Sequence, residues 1–374
     1  MLRFLTSGES HGKCLVAILE GMVAGLEIDV NEINHELARR QEGYGRGGRM
    51  TIEKDAAEIL SGVRGKRSIA GPIALMVPNK DFKINELPIV KKPRPGHADL
   101  VGVMKYGQQD VRDVLERASA RETTARVAVG AVCKIFLKEF GVEVISHVVS
   151  IGGVTFDAKG MSFDEIKKES QDSPMHCANK AATKKMMARV DEARNSKDTI
   201  GGIFEVVVKG VPPGLGSFVH YDRRLTAKLC ASLMSIQAVK GVEVGMGFGV
   251  SETLGKHVHD EIFHDKKKGF YRKTNNAGGF EGGVTNGENL VLRAATKPYS
   301  TLMAPLQSVH IDTKQKEVAT IERSDVTAVP ACGVVGEAMV AFEVANSFLE
   351  KFGGDSLKET LRNYKGYLKQ LEEF

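Results

Sequence analysis

R-P-G-H-A-D-L-V-G-V-M-K-Y-G-Q-Q-D-V-R-D-V-L-E-R-A-S-A-R-E-T-T-A-R-V-A-V-G-A-V-C-K-I-F-L-K-E-F, residues 94–140, sets a histidine (His97) after a Pro-Gly turn, then a cluster of arginines, then a long helix. Ser119 with Glu122 three residues on reads as a capping box, which predicts a helix over 120–140 that stops at Gly141. Its apolar positions (Val127, Val129, Val132, Ile135, Phe136, Phe140) are joined by Ala125, Ala128, Ala131 and Cys133 on other faces. A helix apolar nearly all round is buried. Its mouth carries Arg117, Arg121 and Arg126 beside free backbone N–H groups, a concentration of positive charge that a bound anion would relieve. The bland alternative is neutralisation of these arginines by Glu116 and Glu122.

Working outward, 374 residues suffice for a large core, and 42% hydrophobic with 26% charged residues is the balance of a soluble globular chain. A formal charge of +5 is too weak to point to nucleic acid and suits a small anionic ligand equally well. Cys14, Cys133, Cys177, Cys230 and Cys332 are odd in number and never paired as C-x-x-C, which argues for reduced thiols and against zinc or a disulfide framework. Glu9 and His11 precede any long apolar run, so no secretory leader is expected, and no run is read as long enough to span a membrane. The expectation is a cytoplasmic protein with no metal, no membrane and no nucleic-acid partner.

Gly8-Glu9-Ser10-His11-Gly12 puts a second histidine on a tight turn just before an apolar strand over 14–19. Asp29 can cap a helix running to about residue 41. The loop that follows, Arg39-Arg40-Gln41-Glu42-Gly43-Tyr44-Gly45-Arg46-Gly47-Gly48-Arg49, is flexible and cationic without being a Walker A loop. Short strands are expected at 51–53, 59–62 and 73–77, a strand at 142–149, and another at 203–208, where Phe204, Val206 and Val208 alternate with their neighbours. Residues 156–196 read as a polar, helical, peripheral segment. Asp222 can cap a second helix over 223–239, with Leu225, Leu229, Leu233 and Ile236 on one stripe. The glycines at 241–249 lack the spacing and the following helix of a dinucleotide fold. His257, His259 and His264 lie in a Lys-rich stretch read as solvated rather than as a metal site. Residues 274–287 are the most glycine-dense; close backbone approach to a flat ring or a phosphate, or a long hairpin loop, would each account for them. Arg323-Ser324-Asp325 precedes an apolar helix from Pro330 to about residue 352, and 355–374 reads as an amphipathic helix.

The chain has no Ser/His/Asp order with a nucleophile elbow and no H-E-x-x-H. It has two turn histidines, an Arg-x-Asp and arginines in Gly-rich loops. Guanidinium forks hold carboxylates and phosphates, and histidine moves protons near neutral pH, so the set suits a polyanionic small molecule and proton transfer.

Eight segments together resemble the chorismate synthase family: G-E-S-H-G (8–12), G-Y-G-R-G-G-R-M (43–50), R-P-G-H-A-D (94–99), E-R-A-S-A-R-E-T (116–123), M-S-I-Q-A-V-K-G-V-E (234–243), G-G-F-E-G-G-V-T-N-G (278–287), K-P-Y-S-T (297–301) and R-S-D (323–325). The resemblance implies one α/β (α+β type) domain over 1–374, with central helices between two antiparallel sheets, an internal pseudo-repeat and a homotetramer. The helices from Ala120 and Arg223 are the expected central pair. It implies a lyase that removes phosphate from 5-enolpyruvylshikimate 3-phosphate by 1,4-anti elimination to give chorismate, in the shikimate pathway of aromatic amino acid biosynthesis. It also implies reduced FMN, with NADPH a candidate reductant. On matching positions, His11 would protonate the leaving phosphate, His97 would sit by the flavin, and Asp325 would help move the ring proton. Arg117, Ala118, Ser119, Gln237, Ala238, Gly282, Lys297, Pro298, Tyr299, Ser300, Thr301 and Arg323 would contact the flavin. Arg40, Arg46, Arg49 and Arg323 would hold the substrate, with Arg121 and Arg126 as further candidates. Phe280 and Tyr299 depart from the family's common residues at positions expected beside the flavin.

Overall fold

The computed structural model describes residues 1–48, 53–266, 269–322 and 324–374. In the first half, β1 (Arg3–Ser7), β2 (Cys14–Glu20), β3 (Glu58–Ser61) and β4 (Ile73–Pro78) form an antiparallel sheet in the order β1-β2-β4-β3. Helix α1 (Val30–Gln41) joins β2 to β3, with the Asp29 carboxylate accepting from the Asn31 N–H at 2.9 Å as its cap. Two short helices, α2 (Asp99–Tyr106) and α3 (Val111–Ala118), lead into α4 (Thr123–Lys138).

The second half repeats this plan. Strands β5 (Glu143–Ile151) and β6 (Gly202–Lys209) flank helices α5 (Phe163–Gln171) and α6 (Lys180–Asn195); α7 (Leu225–Met234), β7 (Val239–Val244) and β8 (Leu290–Thr296) follow. The second sheet is also antiparallel and runs β7-β8-β6-β5, with the short strand Val154–Thr155 beyond β5. Each half is thus strand–strand–helix–strand–strand–helix, and in each the strands lie first-second-fourth-third. Helix α8 (Val329–Phe352) closes the second half as α4 closes the first, and α9 (Leu357–Glu372) packs on α8.

Helix α4 lies on the first sheet, α8 lies on the second, and the two helices pack on each other. In-register alternation supplies the inner face of the second sheet: Phe204 pairs with Ala294 and Val148, and all three are buried. The helices approach so closely that a Cβ on Gly130 of α4 would lie 2.3 Å from Ala338 Cβ of α8. An ionic cluster is enclosed at this junction. The fully buried Glu337 carboxylate accepts both Arg39 guanidinium nitrogens (2.8 and 2.7 Å), the Ser146 hydroxyl (2.6 Å) and the Lys134 ammonium. Burial alone would raise its pKa, but Arg39 and Lys134 hold it well below the usual carboxylate range.

Several expectations are corrected. The second central helix is α8, not the one near Arg223; α7 corresponds in the repeat to α1. Helix α7 begins at Leu225 and ends at Met234, because Asp222 pairs with His220 at 2.9 Å instead of capping. The capping box at Ser119 does not form: residues Ala120–Glu122 make a 3-10 turn, Ser119 Oγ accepts from the Arg121 N–H (3.2 Å), and Glu122 faces Thr6, Arg126 and Gln237. Helix α8 is in fact long and apolar enough to cross a membrane by length and composition; here 83% of that apolar window is buried in the protein. Segment 156–196 is helical as expected, yet Met186 and Val190 reach the main core. Its Asp191 accepts from the Tyr44 hydroxyl at 2.8 Å, so it braces the Gly/Arg loop. Of the strand expected at 51–53, Thr51 and Ile52 lie outside the described residues.

Candidate active site

A cleft of about 600 Å³ opens where the chain leaves β4 and β8, the equivalent ends of the two sheets. The β1–β2 turn brings His11 to it. Gly8 has φ +103°, and a Cβ there would lie 2.3 Å from the Cys14 carbonyl oxygen, so the turn needs glycine. Asn79 closes the turn by donating from Nδ2 to the carbonyls of Glu9 (3.1 Å) and Gly12 (2.8 Å). His11 Nδ1 lies 3.0 Å from both oxygens of the Glu116 carboxylate, which also accepts the His11 backbone N–H at 2.8 Å. Asp81 Oδ2 stands 4.0 Å from Nε2, and Asp81 Oδ1 is paired with Lys83 at 2.9 Å.

His97 is held in a similar way by the start of α2. Its Nδ1 lies 2.5 Å from Asp99 Oδ1. Asp99, with no exposed surface, also accepts from Arg94 through the backbone N–H (3.0 Å), Nε (2.8 Å) and Nη2 (3.1 Å). Arg94 Nη2 also stands 3.1 Å from His97 Nδ1, but a nitrogen whose hydrogen points at Asp99 cannot accept there, so that approach is packing. Burial would raise the Asp99 pKa; the hydrogen bonds from His97 and Arg94, and their charges, hold it far below the usual carboxylate range.

Cationic groups line the same cleft. Arg40 donates from Nε to Thr123 Oγ1 (3.0 Å) and from Nη2 to the Ala120 carbonyl (3.0 Å). Arg121 donates from Nε to Asn79 Oδ1 (2.9 Å) and from Nη1 to both Asp55 oxygens (2.7 and 2.8 Å). Both side chains are about 5% exposed and both line the cleft. Among the described residues Arg40 Nη1 and Arg121 Nη2 make no hydrogen bond, but they stand 3.6 Å from Asp55 Oδ2 and 3.8 Å from Glu53 Oε2. Burial lowers the Arg40 pKa to about 10, with Asp55 opposing and Arg121 and Arg46 assisting, so it stays cationic at neutral pH. Arg46 pairs with Asp325 at 2.9 Å, and Asp325 also accepts the Gly47 N–H at 2.5 Å and stands 3.5 Å from the Tyr299 hydroxyl. Burial, then the Asp325 charge, raises the Tyr299 phenol, which remains protonated. Lys83, Lys240 and Lys297 add further positive charge, against Glu322 and Asp325 as the acidic lining among the described residues. Burial, then Lys240 and Arg94, lowers the Lys297 ammonium.

The cleft gathers His11, His97 and Asp325 with Arg40, Arg46, Arg121, Ala118, Ser119, Gln237, Ala238, Lys297, Tyr299, Ser300 and Thr301. Arg49 and Arg323 lie outside the described residues. Four expected residues do not line it. Arg117 is exposed and donates to the carbonyls of Gly8 (2.9 Å) and Thr6 (2.8 Å). Arg126 pairs with Glu122 at 2.9 Å and reaches Ser235. Pro298 is exposed, and Gly282 sits on the turn of a small hairpin beside Phe218. The helix mouth is therefore neutralised in part, Arg126 by Glu122 and Arg121 by Asp55. Phe280 is not at the cleft but in the main core, and the glycines around it serve protein packing: a Cβ on Gly279 would lie 2.6 Å from the Asn289 carbonyl oxygen. Unforeseen partners are Glu116, Asp99 and Arg94, each inside a quoted motif, and Asp55, which no local pattern marks.

Two expected results arise here. Asp325→Ala removes the acceptor that ties Arg46 to the Gly47 N–H; it should lower turnover by about 10²-fold or more, the scale of a lost acid–base group. Unchanged turnover would rule out a role for this carboxylate. Second, burial would raise the pKa values of Glu116 and Glu122, but His11 with Arg112, and Arg126 with Thr6 and Gln237, lower them on balance. With Asp99 they are depressed below the unfolded range of about 4. Their stabilisation is complete above that range. As pH falls below it the unfolded chain binds more protons, and the contribution is lost as pH passes the native pKa values. Thermal scans should show a melting temperature that falls steeply below about pH 4; a flat profile there would contradict these pairings.

The family model for chorismate synthase matches residues 2–349. Chorismate synthase of Geobacter sulfurreducens is 52% identical over 394 aligned positions, with 100% of both chains covered. That of Carboxydothermus hydrogenoformans is 52% identical over 385, again with 100% of both covered, and that of Pelobacter propionicus is 53% identical over 390, with 99% of both covered. A crystal structure of chorismate synthase superposes with a TM-score of 0.84 at 43% identity, covering 100% of this chain and 99% of that one. With its two-sheet sandwich, its histidine and arginine cleft and full-length relatives of this identity, the chain belongs to the chorismate synthase family.

Proposed function

We propose that this cleft converts 5-enolpyruvylshikimate 3-phosphate to chorismate by 1,4-anti elimination, breaking the carbon–oxygen bond to phosphate and a ring C–H bond and forming a new double bond. The observation that carries the reading is the gathering of Arg40, Arg46, Arg121, Lys83, Lys240 and Lys297 around a cleft that also holds two oriented histidines. A substrate with one phosphate and two carboxylates suits such a cationic lining. His11, held by Glu116, gives a proton to the departing phosphate, and Asp325 receives or passes on the ring proton. Arg46, Lys83 and Lys240 add positive charge that favours an anionic ligand.

The residues present also fit a flavin. The cleft volume lies within the usual range for a cofactor site, roughly 300–1,000 Å³. Gln237 Oε1 is a buried acceptor without a hydrogen-bond partner among the described residues, suited to a ring N–H, and Gly96 leaves open the space beside Ser300, where a Cβ would stand 3.4 Å from its hydroxyl. His97, Ser119, Gln237, Lys297 and Thr301 would hold reduced FMN, which lends electron density to the substrate and recovers it with no net redox change. The homotetramer and NADPH as reductant belong to the same reading.

The test is anaerobic phosphate release from the substrate in the presence of reduced FMN. Stoichiometric phosphate and chorismate are expected, with no net flavin oxidation. Oxidation of NAD(P)H without phosphate release would favour a flavin oxidoreductase instead. Sedimentation at assay concentration should give four times the monomer mass; a monomer would remove the tetramer.

A further inference from the structure

The His11 site contains a carboxylate to which the reaction above gives no role of its own. Glu116 is buried at 2% exposure in α3, and both its oxygens face His11 in the β1–β2 turn: Nδ1 at 3.0 Å from each, and the backbone N–H at 2.8 Å. Its own backbone carbonyl accepts the Ser10 N–H at 3.0 Å, so α3 fixes the turn by main chain as well as side chain. Arg112, one helical turn back, donates from Nη1 to Glu116 at 3.2 Å, from Nε to the Pro88 carbonyl at 2.8 Å, and from Nη2 to Glu322 at 3.0 Å. Arg112 therefore clamps Glu116 and links it to the loop that ends in Asp325.

We propose that Glu116 is the positioning residue of His11, fixing the imidazole as the Nδ1–H tautomer with Nε2 toward the cleft, and that Arg112 holds Glu116 for this task. An ionised carboxylate can only accept, so Nδ1 facing two such oxygens must carry a hydrogen. The neutral ring is then bare at Nε2. Protonation there gives an imidazolium whose new N–H lies on the side of the ring away from Glu116, where Asp81 Oδ2 stands 4.0 Å from Nε2. The arrangement parallels the carboxylate of a serine-protease triad, where the wrong tautomer costs about 10⁴-fold. The inference rests on the proposed reaction for its consequence, but its geometry does not.

Histidine-selective ¹⁵N NMR of the resting full-length protein, without substrate, reads the tautomer directly. The wild type should show neutral His11 as Nδ1–H. E116Q keeps the side-chain volume but brings an NH₂ that can donate to Nδ1, so the Nε2–H form should appear. In anaerobic phosphate-release assays kcat should fall by about 10²–10⁴-fold in E116Q with KM nearly unchanged, while E116D restores part of it. A wild-type His11 in the Nε2–H form would overturn the proposal, as would E116Q with unaltered tautomer and kcat within twofold. The wild-type spectrum needs no variant, so a misfolded E116Q leaves the question decidable. Failure of the wild type to release phosphate would instead defeat the assigned reaction, while the spectrum still decides the role of Glu116.

Discussion

His11→Ala should reduce anaerobic phosphate release by about 10²–10⁴-fold, the range spanned by loss of a positioned acid–base group. The loss should fall on kcat, because in the proposed reaction Arg40, Arg121 and their neighbours would hold the substrate's anionic groups while the imidazole supplies a proton. Stability should change little. The ring lines the cleft instead of the core, and the turn around it is held by Asn79 and by the Ser10 N–H to Glu116 carbonyl bond, which the substitution leaves intact. Glu116 loses one partner but keeps the backbone N–H of residue 11 and the Arg112 guanidinium. The measurement is kcat and KM beside a thermal unfolding curve. Turnover within a few-fold of wild type would remove His11 from the chemistry, whereas a collapse in melting temperature would make the lost activity uninformative.

Glu337→Ala is expected to have the largest effect on stability. Its carboxylate is enclosed between α8, α4, α1 and β5 and satisfies Arg39, Lys134 and Ser146 at once. Cutting it away leaves Arg39 and Lys134 with Glu36 alone (2.8 and 2.7 Å) and a void among them. Removing one partner of a buried ionic group costs about 3–5 kcal/mol, more than the pair contributes net, because a desolvated charge remains. Urea unfolding monitored by circular dichroism measures the change. A loss below about 1 kcal/mol would mean that water or Glu36 compensates.

The sequence makes parts of this legible for definite physical reasons. Alternation in Phe204, Val206 and Val208 announces the strand and its inner face, while burial of Val207 and Ile145 on the other face under Phe163 and Ile166 is not announced; the all-round apolarity of residues 123–138 announces a buried helix. His11 and His97 are readable because each sits in a short turn whose neighbours are contiguous in the chain. Other features depend on contacts that no local pattern encodes. Asp55 reaches Arg121 across 66 positions, and Asn79 reaches it across 42. Glu122 fits a capping box on paper, but Thr6, Gln237 and Arg126 outbid its own N-cap. Asp222 is likewise taken by His220. Both α7 and α8 are legible as apolar helices, but which of them pairs with α4 is a long-range contact that neither pattern encodes. The small residues of α8 are there because α8 must lie close to α4 and to Phe204. Phe280, surrounded by glycines, suggested a ligand where the structure has a core residue.

The repeated strand–strand–helix plan bears on how the molecule assembles in time. Each sheet pairs strands from within its own half, whereas α4 meets α8 about 200 positions further along the chain. Distant closures are slow relative to local ones. The two halves should thus collapse early and dock late, and the cleft, which draws residues from both, would be completed only by docking. In stopped-flow refolding, helical signal should return well before the capacity to bind a flavin or phosphate. Simultaneous recovery of the two would show that the halves do not fold separately.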